Sequence, residues 1–116
     1  PCFLTTFEVF FIYRYIRNTK ERRMPMSAYL IAYDLKSPGQ NYSNVIQAIK
    51  DSSICWCTYW KSSYLIKSNL SADQITDKVK PYLDSNDRFF VAEASTTNYQ
   101  GWLSEKEWKF IKENIF

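Results

Sequence analysis

The stretch Ala28-Tyr29-Leu30-Ile31-Ala32-Tyr33-Asp34-Leu35 decides the fold. Seven of its residues are apolar or aromatic, and one carboxylate sits near the downstream end. Eight residues rich in Ile, Leu and Tyr and bounded by turn formers suit a sheet interior better than a helix. An unpaired carboxylate inside such a strand would cost several kcal/mol to desolvate. Asp34 is therefore expected at the strand's exposed mouth, or paired, or holding a cation.

Working outward, Lys36-Ser37-Pro38-Gly39-Gln40 is a turn cluster. A helix is predicted from Asn41, with Tyr42, Val45, Ile46 and Ile49 at i, i+3, i+4 and i+7, ending at residues 51–53. Residues 54–60 and 63–67 read as two strands joined at Lys61-Ser62 as a hairpin. A second helix opens with Ser71 and Gln74 as a capping box and Leu70 stapled to Ile75. Its apolar face is Ala72, Ile75, Val79 and Leu83, and Pro81 distorts its end. Residues 84–87 form a turn, 88–94 a fourth strand and 96–101 a loop. A third helix repeats the start device with Ser104 and Glu107, staples Leu103 to Trp108, and carries Ile111 and Ile115 on that face.

The order β-α-β-β-α-β with a C-terminal helix is the α+β ferredoxin-like plan. The expectation is a sheet with the first and fourth strands inside and both early helices on one face. The other face then needs a partner subunit or the C-terminal helix as its cover. On the first strand Ala28, Leu30, Ala32 and Asp34 share one face, and Tyr29, Ile31 and Tyr33 share the other.

Composition bounds the function. The 116 residues suffice for one core, and an aromatic content of 18% makes much of it Tyr, Phe and Trp packing. Histidine is absent, which removes Ser-His-Asp and Cys-His catalysis and imidazole metal ligation. Three cysteines fall short of a four-ligand zinc site and read as reduced cytoplasmic thiols. The net charge of +3 belongs wholly to residues 1–25, which hold five basic groups against two acidic; residues 26–116 carry ten of each. The main domain therefore has no global field for a polyanion, and any nucleic-acid contact needs a local patch or a metal ion.

Residues 1–25 differ from the rest and form an N-terminal extension ahead of a domain spanning 26–116. The apolar run precedes the charges, the reverse of a signal peptide, and Glu8 and Arg14 interrupt it short of a membrane span. An amphipathic surface helix is one reading. A translated leader or vector-derived segment fits better, because Lys20-Glu21-Arg22-Arg23-Met24 is what a purine-rich ribosome-binding site encodes in frame. Met24 or Met26 would then be the start.

Small neighbours on the Asp34 face leave room for an approaching group. In a two-fold homodimer joined through that face, two copies of Asp34 would converge. Paired carboxylates hold Mg²⁺, and a Mg²⁺-bound water is a nucleophile that needs no histidine. The competing reading is a strand-end Asp bonded to amides of the next turn. Glu93 is a weaker candidate of the same kind. Lys36, Lys61, Lys67 and Arg88 are either a phosphate-contacting rim or ordinary solvated charges. Trp56, Tyr59 and Trp60 read as core or interface packing, with base stacking as the functional alternative.

Several segments resemble the small SinR-like proteins: Tyr29 to Leu35, Trp60-Lys-Ser-Ser63-Tyr-Leu-Ile66, Asn69-Leu-Ser-Ala-Asp-Gln-Ile75 and Asn86-Asp-Arg-Phe-Phe-Val91. These in turn look like the CRISPR-associated Cas-two and VapD group. The resemblance covers residues 26–115 and implies a ferredoxin-like, cytoplasmic homodimer acting as a Mg²⁺-dependent endoribonuclease on RNA phosphodiesters. It maps the strand-end carboxylate to Asp34, as metal ligand and catalytic residue, and the hairpin serine to Ser63, a second catalytic residue that orients the phosphate. Lys61 and Lys36 would bind the phosphate. The alternative is a dimeric nucleic-acid-binding or protein-interaction module tied to defence or toxin–antitoxin systems, with a protein partner encoded nearby. Two features depart from the pattern: the neutral domain, and a tail bearing Trp102 and Trp108.

Overall fold

A computed structural model describes residues 26–36 and 42–116. The N-terminal extension, with its leader or surface-helix readings, and the turn at residues 37–41 lie outside the described residues. The elements are strand β1 (Ser27–Asp34), helix α1 (Tyr42–Asp51), strands β2 (Cys55–Trp60) and β3 (Ser63–Ser68), helix α2 (Ala72–Val79), strand β4 (Arg88–Ala94) and helix α3 (Glu105–Phe110). A tight turn at Lys80–Tyr82 follows α2, and a widened turn at Ile111–Ile115 continues α3. The result is an α+β fold with one four-stranded antiparallel sheet, compatible with the ferredoxin-like plan.

The strand order is β2-β3-β1-β4. β1 pairs with both β3 and β4, so the inner strands are β1 and β3. This corrects the expectation that β4 is interior: it is an edge strand, and its residues are only partly buried or exposed. Its Phe and Val content reads as buried in one dimension, but pairing on one side only leaves it half open.

Tyr29, Ile31 and Tyr33 face the helices, where Val45, Ile49, Ile75 and Val79 close the main core. Both capping boxes form. Ser71 Oγ accepts the Gln74 N–H at 3.2 Å while the Ser71 N–H donates to Gln74 Oε1 at 2.9 Å; Ser104 and Glu107 repeat the pair at the same distances. Pro81 lacks the N–H an α-helix needs, and the chain tightens there into the Lys80–Tyr82 turn. Ser68, fully buried, joins β3 to the end of α1: its hydroxyl donates to Ser52 O at 2.5 Å and accepts the Leu70 N–H at 3.1 Å.

The outer sheet face is covered over part of its area. Ile111 and Ile115 from the C-terminal helix pack on Ala28, Cys55, Cys57 and Leu65 as a second core. The rest of that face is open: Leu30 is 45% exposed and Phe90 68%. No helix among the described residues is long and apolar enough to cross a membrane.

Candidate functional site

Asp34 is the last residue of β1, opposite Arg88 at the start of β4. It lies on the outer face, exposed, and Lys36 Nζ pairs with its Oδ2. Two of the three sequence expectations therefore hold together: Asp34 is at the strand mouth and it is paired. The amide of Lys36, the one described residue of the turn that follows, goes elsewhere. The Lys36 N–H donates to Asp87 Oδ1 at 2.9 Å, and the Asp84 N–H donates to Asp87 Oδ2 at 3.0 Å. These backbone donors, from Asp84 first and Lys36 second, hold the Asp87 carboxyl below the usual range. Asp87 thus clasps the exit of β1 to the loop before β4, a role that nothing in the sequence signals.

The β2–β3 hairpin comes to the same end of the sheet. Lys61-Ser62 is a two-residue loop, and its second residue, Ser62, takes left-handed backbone with φ 56°. The Tyr33 N–H donates to Ser62 O at 3.1 Å, which docks the loop on β1 beside Asp34. Ser63 pairs with Ala32 of β1 and Trp60 of β2, so it shares the outer face with Asp34. Asp34, Lys36, Lys61, Ser63 and Arg88 are thereby gathered at one end of the sheet. Arg88 turns its guanidinium to the carbonyls of Asp87 at 2.9 Å and Ser85 at 3.4 Å, leaving its charge uncancelled. Lys61 is exposed in the hairpin tip, without a carboxylate partner among the described residues.

Two candidates separate from this group. Lys67 pairs with Ala28 at the other end of β1, about 20 Å away at roughly 3.3 Å per residue. Glu93 pairs with Tyr29 and so projects on the helix side of the sheet edge, exposed. Trp56 is buried against Tyr64, with ring centroids 5.5 Å apart and Lys50 Nζ 4.4 Å from its ring, so its packing reading holds. Burial also pushes the Tyr33 and Tyr64 phenols up, keeping both protonated beside the site.

The described residues of one chain gather no multi-carboxylate ligand set around Asp34. Among the described residues no three of His, Cys, Asp and Glu cluster as a metal would need. Asp34 is taken by an ammonium and Asp87 by two amides.

A second feature was not anticipated as a site. Beside the open part of the outer face, the C-terminal segment borders an open pocket of about 340 Å³ lined by Leu30, Trp60, Leu65, Tyr99, Trp102 and Trp108, with Asn98 and Gln100 among its polar groups. Tyr99 is fixed in the wall by Phe116 and Trp108, at centroid distances of 4.5 and 5.9 Å. Trp60 is 41% exposed and Trp102 99%. The aromatic richness of the tail was the available signal, but the closure of these rings around Trp60 depends on the packing of α3. Comparison with known proteins finds no match: no family model, no curated protein and no solved structure is similar to this chain.

Proposed function

We propose that the chain is a homodimeric nucleic-acid-binding module that meets a phosphate backbone at the Asp34 end of the sheet, the non-catalytic form of what the SinR-like resemblance implies. The observation that carries this is the placement of Lys61 and Arg88, two exposed cations without carboxylate partners among the described residues, at the same end of the sheet as the self-neutralised Asp34–Lys36 pair. A chain whose domain is neutral overall needs such a local patch to hold phosphate. The dimer forms through Phe90, Ala92 and Ala32, the open β1–β4 part of the outer face; large exposed apolar side chains grouped on one surface mark docking sites. A cytoplasmic location goes with a nucleic-acid partner, whereas Cys55 is disulfide-bonded and so is not the reduced thiol expected from the sequence; among the described cysteines only Cys57 is free.

Fluorescence anisotropy with labelled RNA and DNA, single- and double-stranded, with and without Mg²⁺, tests it. The expected result is salt-dependent binding without cleavage, retained in Asp34→Ala and weakened in Arg88→Ala. Mg²⁺-dependent RNA cleavage abolished by Asp34→Ala would replace this reading with the endoribonuclease one. A dimer that binds neither RNA nor DNA would leave a protein-interaction module instead.

A further inference from the structure

We infer that the C-terminal segment builds a nucleotide-binding site, with the base in the aromatic cavity and the phosphate at Lys109 and Lys112. The inference does not depend on the Asp34 end of the sheet. Two cavities adjoin there and share Tyr99, Gln100 and Trp108 as their common wall. The first is the aromatic one, whose 340 Å³ lies within the range of small-ligand pockets. The second, about 710 Å³, is polar and is lined by Lys109 and Lys112 against the single carboxylate of Glu105, with the hydroxyls of Thr96 and Thr97. Lys112 Nζ stands 5.8 Å from the Trp108 ring, which places a cation directly at the shared wall.

The chemistry of each half selects its occupant. A saturated hydrocarbon would satisfy the aromatic walls but strip water from the Asn98 carboxamide and the Gln100 amide N–H groups and give them nothing in return, the Gln100 oxygen alone keeping the Gly101 N–H. A planar heterocycle stacks on the free faces of Trp60 and Trp102 and offers donors and acceptors at its edge. Trp102, almost wholly in water, is the wall with most area left to cover. Beyond the wall the two lysines outnumber Glu105, so the second cavity favours an anionic group. An aromatic ring joined to an anion across one short linker is a nucleotide. It arrives either as a free mononucleotide or as one unit of a single strand.

Intrinsic tryptophan fluorescence of the full chain, titrated with adenosine, AMP, UMP and a single-stranded octanucleotide, decides the matter. Saturable quenching by AMP or UMP is expected. Trp102→Ala, a change at an exposed position that leaves the fold intact, should weaken binding about tenfold or more, as loss of base–aromatic stacking does. Lys109→Ala with Lys112→Ala should weaken AMP but not adenosine. In the Lys61→Ala, Arg88→Ala chain, an octanucleotide bound at least about tenfold tighter than AMP identifies a strand as the natural source, and equal affinities identify the free nucleotide. Arg88→Ala should leave AMP binding unchanged, which separates this site from the phosphate patch. Absence of saturable quenching, AMP binding no tighter than adenosine, or AMP binding unaltered in Trp102→Ala would each overturn the assignment.

Discussion

Phe90 offers a clean test of the open sheet face, because its contribution to the single chain and to a dimer differ in kind. It sits on edge strand β4 opposite Ala32, on the side the C-terminal helix leaves uncovered, and is 68% exposed. Replacing it with Ser therefore removes little that the monomer buries, and monomer stability should stay within about 0.5 kcal/mol. Fully burying a Phe side chain contributes about 1.5–3 kcal/mol, so covering the exposed two-thirds contributes roughly 1–2 kcal/mol per copy. A two-fold interface counts it twice. The dimer of Phe90→Ser should then be weaker by about 2–4 kcal/mol, or roughly 30- to 700-fold in dissociation constant. Sedimentation velocity over a concentration series measures that constant, and thermal unfolding at low concentration reads the monomer. A wild-type chain monomeric at every concentration, or a Phe90→Ser chain that dimerises equally well, would refute docking through this face.

Three further outcomes follow from the geometry. Ser68→Ala leaves the Ser52 carbonyl and Leu70 N–H without their buried partner; it should cost about 1–3 kcal/mol and lower Tm by roughly 5–20 °C in calorimetry. Arg88→Ala and Lys61→Ala should each reduce the slope of log affinity against log salt by about one for nucleic acid, with little sequence dependence; an unchanged slope removes that residue from the phosphate patch. Burial pushes the Cys57 thiol up to about 11, whereas in the unfolded chain it ionises near about 8.5. The unfolded state thus sheds its proton first, and the stability held at lower pH should decline as pH rises through this window. Denaturant unfolding at a series of pH values checks this, and a rise in stability across the window would contradict it.

What the sequence revealed and what it hid divide along physical lines. The alternation of β1, the capping boxes at Ser71 and Ser104 and the Lys61-Ser62 hairpin depend on residues within a few positions of one another, and each forms as expected. The edge position of β4 depends on which strands pair, and a strand of Phe, Phe and Val carries no local mark of that. Asp34 was recognisable as a strand-mouth carboxylate, but its partner was not. Nor was the Asp87 clasp, which spans 51 residues to the Lys36 amide and looks in sequence like one more turn former. The aromatic cavity is the extreme case: Trp60 comes from a hairpin and Trp102 and Trp108 from the tail, joined only once the C-terminal helix lies on the sheet.

The Asp34–Lys36 pair also sets how the scaffold and nuclease readings relate. Both side chains are more than half exposed, and such surface pairs contribute only about 0–1 kcal/mol. In the proposed dimer a phosphate arriving at Lys36 would displace Asp34 at little cost, and the freed carboxylate would face whatever stands across the interface. If that is the second Asp34 within about 4–5 Å, Mg²⁺ with its ligand distance of about 2.0–2.1 Å can bridge them. If the two carboxylates stand more than about 8 Å apart, no shared ion reaches both. Scaffold and nuclease then differ by the closeness of the two copies rather than by any residue of one chain. Lys36→Ala discriminates between them, because it frees Asp34 without substrate. Isothermal titration of that variant with Mg²⁺ should show one ion per dimer only in the close arrangement, and an Asp34→Ala, Lys36→Ala chain should then show none.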